Sequence, residues 1–79
     1  MYPEGWLIDP KGKTLLLFQK DPTVKKTSGS IETWIVHNGS PSKFKCRTQA
    51  SAFEAITRWI DLTEIGWRRV DMDFEVKAA

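Results

Sequence analysis

Cysteine and histidine each occur once in this chain of 79 residues, as Cys46 and His37. A single cysteine excludes an internal disulfide and fits a reducing compartment. With one histidine beside it, no cluster of zinc-ligand spacing can be assembled. Long apolar runs are missing as well: the longest, Leu15 to Phe18, is far too short to cross a bilayer. The opening MYPEGW has neither the basic start nor the apolar stretch of a secretory signal. A soluble, cytoplasmic protein is therefore the expectation. Nor does one sign of charge dominate. Twelve Lys and Arg oppose ten Asp and Glu, a formal net of +2, so only the distribution of charge could point to nucleic acid. No low-complexity segment or fixed-period repeat is present.

What the chain does have is tryptophan: Trp6, Trp34, Trp59 and Trp67. A single domain over residues 1–79 sits near the size at which one core becomes marginal, so these side chains are first expected inside. Two of them directly follow glycine, at Gly5-Trp6 and Gly66-Trp67. Gly-Trp-Leu-Ile begins a short strand that Asp9-Pro10-Lys11-Gly12 ends with type I turn chemistry. Thr14–Gln19 follows, apolar on both parities as a central strand would be. Residues 21–30 read as a long polar loop. Ile31–His37 is β-branched and aromatic, again on both parities. Asn38-Gly39 marks a turn, and Pro41 so soon after predicts a loop longer than two residues. In Lys43–Arg47 the alternation sets Phe44 and Cys46 on one side and Lys43, Lys45 and Arg47 on the other.

The period then changes to that of a helix, expected over about 49–65. Ser51 and Glu54 form a capping-box signature, with Thr48 as an earlier candidate cap. Ala52, Phe53, Ala55, Ile56, Trp59, Ile60 and Leu62 fill about half of the helical wheel, an apolar arc suited to lying on a sheet. Gly66 stands where the helix must stop. In a Schellman arrangement Trp67 folds back onto Leu62 and clasps the helix end. At the front, Gly5 is expected to let Trp6 turn into the sheet near its edge. Val70, Met72, Phe74 and Val76 then alternate with Arg69, Asp71, Asp73 and Glu75 as a last strand. The pattern predicts an α+β fold, an antiparallel sheet of four or five strands in the order β-β-β-β-α-β with one helix packed on one face.

Gly5-Trp6-Leu7-Ile8, Asn38-Gly39-Ser40-Pro41, Lys45-Cys46-Arg47, Trp59 with Leu62, and Gly66-Trp67-Arg68-Arg69-Val70 fall in a familiar order. On these residues the chain resembles a group of short, uncharacterised proteins of marine picocyanobacteria and their phages, classed as a domain of unknown function. One departure stands out: Asp71-Met72-Asp73-Phe74 occupies the place where that group has Pro and Trp. The resemblance implies a cyanobacterial or phage setting and no established activity, so it transfers no functional residues.

Each candidate chemistry meets a blander account. Gly12-Lys13-Thr14 looks like the tail of a phosphate-binding loop, but Leu7 stands where the pattern needs glycine, and a strand follows rather than a helix. Cys46 and His37 lack an orienting partner for a nucleophile and base, and Cys46 reads as a small buried hydrophobe. Asp71, Asp73 and Glu75 share a strand face without the loop that would complete a cation cage. No catalytic residue, metal or cofactor is expected, and the protein reads as a non-enzymatic binding module.

Its expected surface is the second face of the sheet, left over because both parities of two strands are apolar. Trp34 and Val36 would anchor a protein partner or a second copy, with Leu16 and Phe18 at their flank. Tyr2 and Val24 are the candidates for covering that face instead. The alternative is nucleic-acid binding through Lys43, Lys45, Arg47 and the loop lysines Lys25 and Lys26, with Trp34 as a stacking platform. Against it, the basic side of the fourth strand would cancel the acidic side of the fifth if the two were neighbours.

Overall fold

The computed structural model describes residues 2–21 and 28–71. In chain order the elements are β1 (Gly5–Ile8), β2 (Thr14–Lys20), β3 (Ser28–His37), β4 (Ser40–Ser51), α1 (Ala52–Glu64) and β5 (Arg68–Val70). The strands form one antiparallel sheet in the spatial order β4-β3-β2-β1-β5. The first four make a plain meander, each strand beside its predecessor. The last strand crosses back to lie against the first. This is the α+β class and element order that the residue pattern predicts.

Because β4 and β5 occupy opposite edges, the chain between them must traverse the sheet. Four interstrand steps of ~4.8 Å span about 19 Å. The 13 residues of α1, rising ~1.5 Å each, cover about the same length. The helix is thus as long as the sheet is wide. It begins at Ser51, whose side chain accepts from the Glu54 backbone N–H at 3.1 Å, while the Glu54 carboxylate accepts from the Ser51 N–H at 2.9 Å. It ends as expected in a Schellman motif: Trp67 N–H donates to the Leu62 carbonyl at 3.0 Å and Gly66 N–H to Thr63 at 3.3 Å. Gly66 has φ +111°, a conformation that L side chains rarely adopt. Residues 49–51 extend β4 rather than the helix, because Ser28–Ile31 pairs with Thr48–Ser51 without a break.

Between helix and sheet the core is Tyr2, Leu7, Leu16, Phe18, Ile31, Ala50 and, from the helix itself, Ala55, with Ala52, Trp59, Leu62 and Trp67 packed against them. Phe18 meets Trp59 edge to face, ring centroids 4.9 Å apart. Tyr2 therefore closes the helix side and does not cover the second face. Its ring lies over the bare backbone of Gly29, where an added Cβ would come within 2.7 Å of it, and its hydroxyl donates to the Ala50 carbonyl at 3.1 Å. Burial pushes the Tyr2 phenol above its ordinary pKa, and the Glu54 carboxylate adds to this.

The β1–β2 hairpin follows from the Asp9–Gly12 turn. Gly12 N–H donates to the Asp9 carbonyl at 3.0 Å, and the Asp9 carboxylate accepts from Lys13 and Thr14 N–H at 2.7 and 2.9 Å. Desolvation pushes the Asp9 carboxyl up, but backbone N–H groups, Thr14 and Lys13 foremost, outweigh it and hold the pKa below the usual value.

Several expectations need correction. The β3–β4 connection is a two-residue turn, with His37 opposite Ser40 and both Asn38 and Gly39 at positive φ. Pro41 is tolerated because β4 is an edge strand with register irregularities beside it. Gly5 serves Arg69 rather than Trp6: at φ +134°, its missing Cβ leaves room for the Arg69 guanidinium, which would stand 3.1 Å away. Trp6 itself is in an interior strand, between β2 and β5. Strands β4 and β5 do not adjoin, so the proposed cancellation of their charges does not occur. The acidic residues Asp73 and Glu75, the apolar Met72, Phe74 and Val76, and Val24 all lie outside the described residues.

Candidate functional site

Register assigns every strand residue to a face. On the side away from α1, Val70, Trp6, Leu17, Glu32 and Arg47 stand in one cross-strand row. Arg68, Ile8, Leu15, Trp34 and Phe44 stand in the next. Trp6, Ile8 and Leu15 are buried by their neighbours, with Leu17, Trp34, Val36 and Val70 packed around them. The indole of Trp34 sits between two rings in edge contact, Trp6 at 6.4 Å and Phe44 at 5.5 Å. Its Nε1–H donates to Glu32 at 3.0 Å. At the β4 edge of this row Phe44 is 47 % exposed.

Glu32 fixes that edge. It is the buried charged residue of the described core, and Arg47 donates to its carboxylate from Nε at 3.1 Å and from Nη2 at 2.6 Å. A buried carboxylate needs such partners to avoid a desolvation penalty. The Arg47 side chain is itself 61 % exposed, so the pair forms the rim of the apolar rows.

Of the residues expected at a partner site, Trp34 and Val36 are on this face, as predicted. Leu16 and Phe18 are not. They point under the helix, 5 % and 0 % exposed, and their neighbours Leu15 and Leu17 take the second face. When both parities of a strand are apolar, alternation alone cannot say which set meets the helix. Phe44 also lies on this face, which the sequence does not reveal because the alternation in β4 is broken. Thr33 opposes Cys46 and Trp34 opposes Phe44, which leaves Lys45 as an extra residue at a bulge. Phe44 and Arg47 therefore share the second face, while Cys46 opposes Thr33 on the helix side.

The same bulge divides the basic set. Lys43 opposes Ile35 on the helix side, Lys45 is the bulge residue, and Arg47 binds Glu32 on the other side. Lys25 and Lys26 lie outside the described residues. Edge lysines, a proline and bulges are also what keeps an exposed strand from pairing with another chain. Cys46 is exposed rather than buried. His37 is four residues further along the hairpin from Thr33, about 13 Å at ~3.3 Å per residue, so the two share no hydrogen bond. Among the described residues no group of three His, Cys, Asp or Glu is placed to hold a metal ion, and no helix is long and apolar enough to cross a membrane. A cleft of about 260 Å³ opens between α1 and the far ends of β3 and β4, lined by Ile31, Thr33, Thr48, Ala50, Glu54 and Arg58. Its carboxylate is engaged in the helix cap, and it holds no paired nucleophile and base.

The fold is that of a small α+β domain. Residues 4–74 match the model of a family described as Protein of unknown function (DUF1651), and the chain belongs to that family. No curated protein and no solved structure is significantly similar to it.

Proposed function

We propose that the protein is a non-enzymatic binding module that docks another protein on the sheet face away from α1. The exposed ring of Phe44, at the end of a continuous apolar row, carries this reading. Half-buried Leu17 and Val36 continue the surface, Trp34 shapes it, and the Glu32–Arg47 pair borders it. An aromatic anchor with a polar rim is the usual anatomy of a protein-docking patch. The sequence likeness to picocyanobacterial and cyanophage proteins supports a cytoplasmic setting in which such a module modulates host or cellular machinery. Nucleic-acid binding through Lys43, Lys45 and Arg47 draws less support, since the three are divided between the faces and Arg47 is engaged.

Affinity capture from a picocyanobacterial extract, comparing the native chain with Phe44→Ala and Val36→Ser, tests the reading. The expected result is a protein partner whose recovery is nearly salt-indifferent and falls with either change while the thermal transition persists. A partner retained at full strength by Phe44→Glu overturns it. So does recovery of nucleic acid whose binding falls steeply with salt and with Lys43→Ala.

A further inference from the structure

The sheet face away from α1 is apolar in its middle and cationic around it. Its two apolar rows are flanked by Arg68 on β5, beside Ile8, and by Arg47 on β4, opposite Glu32. Alternation from Leu15 sets Lys13 on the same side, next to Val36, whose N–H donates to the Lys13 carbonyl at 3.0 Å. All three cations are exposed. Neither Lys13 nor Arg68 pairs with a carboxylate among the described residues. Arg47 commits Nε and Nη2 to Glu32 and keeps its Nη1 donors.

The carboxylates of that side are already engaged. Glu32 is 7 % exposed and accepts from Arg47 and Trp34. Glu4, two residues before Trp6, accepts from the Lys20 N–H at 3.1 Å, and Gln19, Ser30 and Gln49 at that end of the face are uncharged. We propose that the partner bound on this face is an acidic protein segment, with Asp or Glu interspersed among aromatic and aliphatic side chains. This rests on the docking reading above and adds what the partner must carry. The apolar groups of the segment meet Phe44, Trp34 and Val36, while its carboxylates reach Arg68, Lys13 and the outer side of Arg47. A basic segment would meet like charge at all three. From β5 to β4 the face is about 19 Å wide, so about six extended residues span it.

The two kinds of contact act on different rates. Charges at an exposed rim steer the encounter and are screened by salt, whereas the apolar contact sets how long the complex lasts. Association is therefore salt-sensitive. The lifetime of the complex, which governs recovery after washing, is nearly salt-indifferent.

Selection of peptides from a random displayed library on the full chain tests this. The expected peptides are enriched in Asp and Glu beside Phe, Leu or Trp, and Phe44→Ala loses them. Lys13→Glu combined with Arg68→Glu, both at exposed positions, should keep the thermal transition and slow association of a selected peptide about tenfold at low salt. Its dissociation should change little, and the difference in association should vanish at high salt. Selected peptides that depend on Phe44 but are neutral or basic overturn the proposal and leave the docking reading standing. Peptides indifferent to Phe44→Ala overturn both. An empty selection on the full chain overturns the proposal too, and peptides that then appear once residues 72–79 are removed assign the face to the chain's own end. Tighter binding of single-stranded DNA than of any acidic peptide, lost steeply with salt, assigns the rim to phosphates and overturns it as well.

Discussion

Replacing Gly66 by alanine tests the helix terminator on which the fold turns. At φ +111° the residue lies beyond the ordinary left-handed well, and holding an L residue there costs about 1–3 kcal/mol. The new Cβ would also stand 3.0 Å from Cγ of Pro10, in the turn between β1 and β2. Alanine returns ~0.4–1 kcal/mol by restricting the unfolded chain. The expected net loss is about 2 kcal/mol, which for a chain of this size lowers the melting temperature by about 10 °C. Gly12→Ala is the control: φ is +72°, and nothing lies within 4 Å of the added atom. Its loss should be under about 1 kcal/mol. Thermal unfolding followed by far-ultraviolet circular dichroism separates the two. If Gly66→Ala melts within about 2 °C of the native chain, the Schellman account of Gly66 and Trp67 is wrong. Adding Pro10→Ala to Gly66→Ala should recover the steric part of the loss and leave the torsional part.

The remaining expectations concern two hydrogen-bonded side chains. Tyr2→Phe removes the bond to the Ala50 carbonyl and should cost about 1 kcal/mol at neutral pH in urea denaturation. Since the folded pKa of this phenol is raised, its contribution is complete below the unfolded value near 10 and is lost as pH climbs through the folded value. The stability gap between native chain and variant should therefore close in strong alkali, and a constant gap would refute the assignment. Tyr2 is the chain's single tyrosine, so its ultraviolet titration reports the shift directly. Arg47→Ala should destabilise by about 1–2 kcal/mol, tempered by solvent at the exposed guanidinium. A double-mutant cycle with Glu32→Gln should show coupling, and additive losses would mean the ion pair contributes nothing.

Much of the fold was legible in local chemistry. Asp-Pro-Lys-Gly, the Ser51–Glu54 box and Gly66-Trp67 each satisfy backbone groups within a few residues, so the chain writes them locally. What was not legible depends on partners far along the chain. Leu15 through Phe18 look alike on both parities, and only the placement of α1 decides that Leu16 and Phe18 lie beneath it. The bulge at Lys45 leaves no mark in an alternating Lys-Phe-Lys-Cys-Arg, yet it moves Phe44 and Arg47 to one side. The helix offers an apolar arc wider than the sheet can cover, and composition alone does not tell which portion stays outside. For the candidate surface, Trp34 and Val36 could be read from their strand, whereas Phe44 required knowledge of register.

The pairing of the last strand with the first has a consequence for synthesis. As the ribosome extrudes the chain, the meander can assemble hairpin by hairpin, each new strand finding the one just made. Its inward side, bearing Leu7, Leu16 and Phe18, then waits uncovered until the helix has emerged and Arg68–Val70 can reach back to β1. Closure joins the strands farthest apart along the chain, so it follows the local pairings of the meander. A nascent polypeptide stalled shortly before Gly66 would hold its greasiest surface open to chaperones, and the molecule seals only once Arg68–Val70 is free to pair.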